Sequence, residues 1–290
     1  MSRIVVALLW LLHWLPLSMQ APIGRGLGRL LYWIIAPRRK VVLTNLRLCF
    51  PDQSEAERRT LAKEHFALAG RSLIERGIAW FAPEERVRRI VRIRGEETLA
   101  KLIEARQPVI LLTPHFLGLD LGGTRIASSF DCVSIYARQK DQVIDRWLYH
   151  GRSRFGSQVL LRRDESVRAS IKAMKEIRPF YYLPDMDNGP EDSVFVPFFG
   201  VQAATLSALP RLARLGGAVV VPCVTRMLPG GEGYVVEFGE PWTDFPTSDV
   251  EADTRRMNAC IEDLVRTMPA QYYWVHRRFK TRPPGEAKIY

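Results

Sequence analysis

The stretch Val109-Ile110-Leu111-Leu112-Thr113-Pro114-His115-Phe116-Leu117-Gly118-Leu119-Asp120 decides the fold. Its first four residues are uniformly apolar and run toward a proline, so they read as a short buried strand. Similar runs return at 132–136, 158–161, 180–183 and 218–224. Helix-length amphipathic segments lie between them, near 117–129, 141–154, 165–177 and 203–215. Strands alternating with helices argue for an α/β fold built on a mostly parallel sheet flanked by helices. Residues 234–238, after the turn Pro229-Gly230-Gly231, are expected as a further strand. Met257, Ile261, Leu264 and Met268 mark a final helix stopped by Pro269.

Upstream of this core, residues 55–81 carry Leu61, Phe66, Ala69, Leu73, Ile74, Ile78 and Phe81 at nearly helical spacing, which predicts one amphipathic helical region. The N-terminus differs. Residues 4–17 are almost wholly apolar, interrupted only by His13, and include Trp10 and Trp14. Extended through Ala21 and Ile23, the segment approaches the roughly 20 residues of a membrane span, and a second apolar stretch follows at 27–36. Arg25, Arg29, Arg38, Arg39 and Lys40 come with it, and such charges favour keeping the following domain cytoplasmic. A membrane-anchoring helical segment is therefore expected, either spanning or lying shallowly. The competing readings are a secretory signal, which lacks a small-x-small cleavage site, and a buried helix of a soluble protein. The Gly24, Gly26, Gly28 spacing does not fit a dinucleotide-binding loop. The parse is a 1–40 anchor and a 41–290 domain, divided into a helical part at 41–105 and an α/β core with C-terminal tail at 106–290.

Composition narrows the class. At 290 residues, 47% hydrophobic and 25% charged, the chain is neither disordered, nor collagen-like, nor a multi-span membrane protein. Lys and Arg number 42 against 31 Asp and Glu, and the net charge of +11 implies an anionic partner. Cys49, Cys132, Cys223 and Cys260 are far apart, which reads as reduced thiols rather than a zinc site or disulfide scaffold.

Ligands of open α/β sheets bind at the carboxyl ends of strands, where His115 stands. Asp120 falls one turn into the next helix. A carboxylate there could hold the imidazole tautomer and stabilise the imidazolium, making a general base. As a bare pattern H-x-x-x-x-D is weak, and an isolated histidine is more often structural; the strand-end position is what favours chemistry. The sequence has no G-x-S-x-G, H-E-x-x-H or Walker loop, and Ser153 in Gly151-Arg152-Ser153-Arg154 lacks the second glycine of a nucleophile elbow. A base without a protein nucleophile suggests that a substrate hydroxyl attacks an activated acyl group directly. Residues 183–200 read either as a turn followed by apolar packing, or as Asp185 beside the dyad with Phe195, Phe198 and Phe199 along an acyl groove. Arg138, Arg152, Arg154, Arg162 and Arg163 are either a solvated face or a phosphate clamp.

Four blocks in order resemble the bacterial lipid A biosynthesis lauroyl/myristoyl acyltransferases, within the wider glycerolipid acyltransferase-like group. They are H-F-L-G-L-D at 115–120, Y-A-R and G-R-S-R at 136–138 and 151–154, P-D-M-D-N-G-P with S-V-F-V-P-F-F-G at 184–200, and W-V-H-R-R-F-K-T-R-P at 274–283. The resemblance covers nearly the whole chain. It implies transfer of a fatty acyl chain from acyl carrier protein to a hydroxyl of a Kdo-bearing lipid A precursor, at the cytoplasmic face of a bacterial inner membrane. His115 would be the base and Asp120 its partner, where many relatives carry Glu. Arg138, Arg152, Arg154, Asp185 and Arg277 would contact substrate. His276 is a second candidate histidine, but neighbouring Arg277, Arg278 and Lys280 disfavour its protonation and suit anion binding. No metal or redox cofactor and no nucleic acid is expected. The alternatives are a family member acting on another membrane lipid, such as a lysophospholipid, ornithine lipid or glycolipid, and a non-enzymatic basic membrane-binding protein.

Overall fold

The computed structural model describes residues 1–162 and 166–290. Its strands are β1 (Val91–Arg94), β2 (Val109–Leu112), β3 (Val133–Tyr136), β4 (Val159–Arg162), β5 (Phe180–Tyr182), β6 (Ser193–Phe198), β7 (Val201–Leu206), β8 (Val219–Met227) and β9 (Tyr234–Phe238). The main sheet has the order β1-β9-β8-β2-β5-β3-β4. From β8 to β4 every neighbour is parallel, while β9 pairs antiparallel with β8 and parallel with β1. The mostly parallel sheet expected from the alternation is therefore present. β2 lies at its centre with Ile110 and Leu112 in one core and Val109 and Leu111 in the other. Burial on both faces is what its unbroken apolar run requires.

The helices are α1 (Ser2–Leu12), α2 (Leu17–Ile34), α3 (Ala36–Cys49), α4 (Glu55–Phe81), α5 (Glu84–Ile90), α6 (Glu96–Glu104), α7 (Leu119–Ala127), α8 (Gln142–Ser153), α9 (Ser166–Lys175), α10 (Ala208–Gly216) and α11 (Val250–Thr267). α4 has the bounds its periodicity predicts. A capping box starts it: Glu57 N–H donates to Ser54 Oγ and Ser54 N–H donates back to the Glu57 carboxylate. α7 lies close against β8 because Gly118 and Gly122 face Thr225; a Cβ on Gly122 would stand 1.8 Å from Thr225 Oγ1. That glycine pair lowers the helix carrying Asp120 onto the sheet.

Three segments differ from expectation. The 41–105 part is not wholly helical: β1 lies within it and pairs parallel with β9 at the edge of the main sheet, so the α/β core begins before residue 106. Residues 203–215 are not one helix: β7 occupies the first part and pairs antiparallel with β6, and α10 follows. The apolar run at 193–200 is thus half of a separate hairpin, a pairing invisible to periodicity because Ala203 and Ala204 suit either state. At the N-terminus the apolar run breaks after Leu12, and α2 begins only at Leu17. Among the described residues no helix is long and apolar enough to cross a membrane.

The N-terminal helices instead pack on α4. Gly24 and Gly28 of α2 meet Gly70 of α4 backbone to backbone; a Cβ on Gly28 would lie 2.0 Å from Phe66 O, and one on Gly70 2.3 Å from Gly24 O. The glycine spacing thus serves a close helix crossing. The opposite side of the pair leaves Ile4, Leu8, Leu11, Trp14, Met19, Ile23, Leu30 and Trp33 exposed.

Candidate active site

β2 delivers the chain to the site. Thr113 N–H still donates to Tyr182 O of β5 at 2.8 Å, after which Pro114 turns the backbone off the sheet. The next residues are held from three directions. His115 N–H donates to Asp185 Oδ2 at 2.9 Å. His115 O accepts from Tyr273 N–H at 2.9 Å, and Leu117 N–H donates to Gln271 O at 2.8 Å. Leu117 O accepts from Ser72 Oγ of α4 at 2.6 Å. Backbone fixed in this way leaves the His115 side chain little positional freedom.

The ring's Nδ1–H donates to Asp185 Oδ1 at 2.6 Å. Nε2 has no hydrogen-bond partner among the described residues, and the side chain is 23% exposed. A neutral imidazole whose Nδ1–H is held by a carboxylate presents Nε2 as a proton acceptor. Asp185 itself is 1% exposed. Burial works against its charged form, but the His115 charge, the two His115 hydrogen bonds and one from Tyr272 outweigh it and hold its pKa below the usual value.

Asp120 is placed differently from the sequence expectation. It lies in the first turn of α7, and no hydrogen bond joins it to His115 among the described residues. Its Oδ2 accepts from Arg76 Nε at 2.8 Å and faces Arg76 Nη2 at 2.7 Å, while Arg152 Nη2 stands 3.7 Å from Oδ1. Burial pushes its pKa up, yet the charges of Arg76 and Arg152, the Arg76 hydrogen bond and the charge of His115 bring it below the usual value. The carboxylate on Nδ1 is Asp185, 70 residues away in sequence. Short-range spacing pointed at Asp120 because a turn joins it to His115; the parallel pairing of β2 with β5 brings Asp185 to the same edge.

The other candidates divide. Arg152 on α8 belongs to the site through Asp120 and lies 5.9 Å over the Tyr136 ring. Arg154 does not face it: its guanidinium donates to Ala82 O at 2.5 Å and Ile78 O at 3.3 Å, closing the C-terminus of α4, and burial lowers its pKa to about 10. Arg138 is exposed and 3.9 Å from Asp145. Arg277 is exposed, 5.9 Å over the Tyr290 ring, and Arg162 is exposed at the end of β4. Arg163 lies outside the described residues.

The three phenylalanines do not line one groove. Phe195 and Phe198 lie three residues apart on β6 and so point to opposite faces. Phe198 is fully buried against Tyr272 and Phe279, and Phe199 packs on Phe50.

His276 is not poised for anions. Its Nε2 accepts from Asp187 N–H at 2.8 Å, and burial lowers its pKa to about 4. The tail holds the Asp185 loop in other ways: Thr281 N–H and Oγ1 donate to the Asp187 carboxylate at 2.7 and 2.8 Å. Sequence reasoning missed Arg76, Tyr272 and Tyr273. Arg76 meets Asp120 only through the packing of α4 against α7, which no local spacing reveals, and the tyrosines reach the site only through the tail's pairing with residues 115–117.

Comparison with known proteins agrees with the blocks quoted above. Residues 1–281 match the sequence model of a family described as bacterial lipid A biosynthesis acyltransferase. The chain is 38% identical over 286 residues to the lipid A biosynthesis lauroyltransferase of Escherichia coli (strain K12), covering 98% of this chain and 93% of that one. It is 32% identical over 276 residues to the lipid A biosynthesis myristoyltransferase of the same organism, covering 95% and 85%. With a lipid A biosynthesis acyltransferase of Haemophilus influenzae it shares 32% over 273 residues, covering 93% and 86%.

Proposed function

The chain belongs to the bacterial lipid A biosynthesis acyltransferases and is an acyltransferase, and on that footing we propose that it moves a fatty acyl chain from acyl carrier protein thioester to a hydroxyl of a Kdo-bearing lipid A precursor. The observation that carries this reading is His115, fixed at the end of the central strand with Nδ1 on Asp185 and Nε2 unengaged. In the proposed step Nε2 takes the acceptor hydroxyl's proton as its oxygen attacks the thioester carbonyl. The tetrahedral intermediate collapses, the carrier's sulfur leaves, and the imidazolium returns the proton to it. Thioester and alcohol become ester and thiol, a balance that needs no metal or redox cofactor.

Asp185 orients the ring and stabilises the imidazolium. Asp120 adds a second negative charge near the ring and holds Arg76 and Arg152 where a phosphate or carboxylate of the acceptor would meet them. The net charge of +11 suits the acidic carrier, the anionic acceptor and an anionic bilayer alike.

The exposed apolar residues of α1, α2 and the turn between them, including Trp10, Trp14 and Trp33, suit in-plane docking to the cytoplasmic face of the inner membrane, with residues 1–40 as the anchoring part and 41–290 as the catalytic domain. Deleting residues 1–23 should shift the protein toward the soluble fraction; unchanged membrane association would assign docking to the rest of the surface.

Incubating the purified protein with acyl carrier protein thioesters and a panel of acceptors tests the reaction. Transfer to the Kdo-bearing precursor supports it. Transfer only to a lysophospholipid, ornithine lipid or glycolipid would move the chain to another acceptor, and no transfer to any would overturn the proposal.

A further inference from the structure

A cavity of about 660 Å³ lies between α2, α4 and the connection from β8 to β9, and none of His115, Asp120, Asp185, Arg76 or Arg152 lines it. Its volume is in the range of small-molecule pockets. Three guanidinium groups reach its wall, Arg25 and Arg29 from α2 and Arg71 from α4, against one carboxylate, Glu64. Glu64 is already matched by Arg25 in a two-pronged pair at 2.7 and 2.8 Å.

Arg71 is the telling member. It is 2% exposed; its Nε donates to Glu75 at 2.7 Å and its Nη1 to Leu228 O at 2.6 Å. Its Nη2 is buried with no acceptor among the described residues. A buried guanidinium N–H without an acceptor is costly, and an anion's oxygen is the group that satisfies it. Arg29 forms no ion pair among the described residues and is exposed at the same wall.

Position around α2 narrows the ligand. Ser18, Ala21, Pro22, Arg25 and Arg29 face the cavity at helical spacing. The exposed apolar face of Met19, Ile23, Leu30 and Trp33 begins about a third of a turn away on the same helix. A charged group seated among the arginines would therefore have apolar surface beside it.

We propose that this cavity is a second ligand site, which binds a phosphate group through Arg25, Arg29 and the free edge of Arg71. The phosphate comes either from a lipid headgroup, whose chains would lie along the apolar face of α2, or from the free ion.

The test uses the full-length protein in neutral detergent, titrated with inorganic phosphate, with dihexanoylphosphatidylglycerol below its micellar concentration, and with dihexanoylglycerol, which lacks the phosphate. Removing Arg71 would also strand the buried Glu75, so Arg29→Ala and Arg25→Ala are the variants. Arg47→Ala, an exposed residue of α3 outside the cavity, is the equal-charge control. Saturable binding of a phosphate-bearing ligand, weakened about tenfold in Arg29→Ala and Arg25→Ala and unchanged in Arg47→Ala, is expected. Dihexanoylglycerol should not bind saturably. Much tighter binding of the phospholipid than of phosphate assigns the headgroup as the source, and equal affinities assign the ion. Absence of saturable phosphate binding, or the same affinity in Arg29→Ala and Arg47→Ala, would overturn the proposal.

Discussion

Asp185 and Asp120 flank one histidine and keep opposite company. Asp185 is enclosed by His115 and Tyr272, so its charge answers chiefly to the imidazole. Asp120 is held by the guanidiniums of Arg76 and Arg152. A carboxylate whose main partner is an imidazole gains a full ion pair when that ring takes a proton. One already met by two cations gains less, and its geometry serves those cations. The contrast divides the site into a back, which makes His115 a base, and a front, which presents positive charge to the acceptor.

The sharpest way to break this division is to neutralise each carboxylate in turn. His115→Ala should reduce kcat by about a thousandfold or more with circular dichroism unchanged. Asp185→Asn should fall steeply as well, because an amide can hold the wrong tautomer, and combining it with His115→Ala should add little. Asp120→Asn should cost less in kcat and add to His115→Ala in acceptor binding. If Asp120→Asn instead matches Asp185→Asn in kcat and is silent in the His115→Ala background, the orienting carboxylate is Asp120 and the division fails.

A smaller effect separates two arginines only two residues apart in sequence. Arg152→Ala should raise the KM for acceptor about tenfold, the size expected for one lost charge-assisted contact. Arg154→Ala should leave KM unchanged and lower the melting temperature, because its guanidinium closes α4. Equal KM effects in both would return Arg154 to the substrate side.

What the sequence made legible follows from range. β2 and β9, α4 and the strand-end position of His115 were readable because unbroken apolar runs and 3.6-residue periodicity are local signals. The hairpin of β6 and β7 was not, since its pairing depends on a partner rather than on its own pattern. The same limit governs the site. Asp120 was nominated by five residues' proximity, while the bond from His115 Nδ1 to Asp185 is created by sheet order. Asp185 itself was visible as a polar residue at another strand end, but its role was not. The arginines of G-R-S-R were equivalent as text, and only the meeting of α8 with the end of α4 tells them apart.

Acid offers the mildest probe, and it should act on the back of the site before the front. His276 accepts the Asp187 N–H through Nε2, so it must stay neutral to hold the loop that carries Asp185. Burial lowers its pKa from 6.5 to about 4. Between those values the unfolded chain binds a proton there and the native protein does not, so this contribution is complete above pH 6.5 and is lost as pH falls toward 4. Asp185 and Asp120 have pKa values lowered from 3.8, so their contributions are lost only at lower pH. His65, also lowered to about 4 by burial, acts in the same window as His276, and a variant is needed to separate them. Asn at position 276 could still accept the Asp187 N–H and does not titrate. Urea unfolding at pH 7 and pH 5.5 should show the wild type losing about 1 kcal/mol more than His276→Asn over that interval. Identical losses would mean that His276 titrates freely and that the tail does not fasten the Asp185 loop through it.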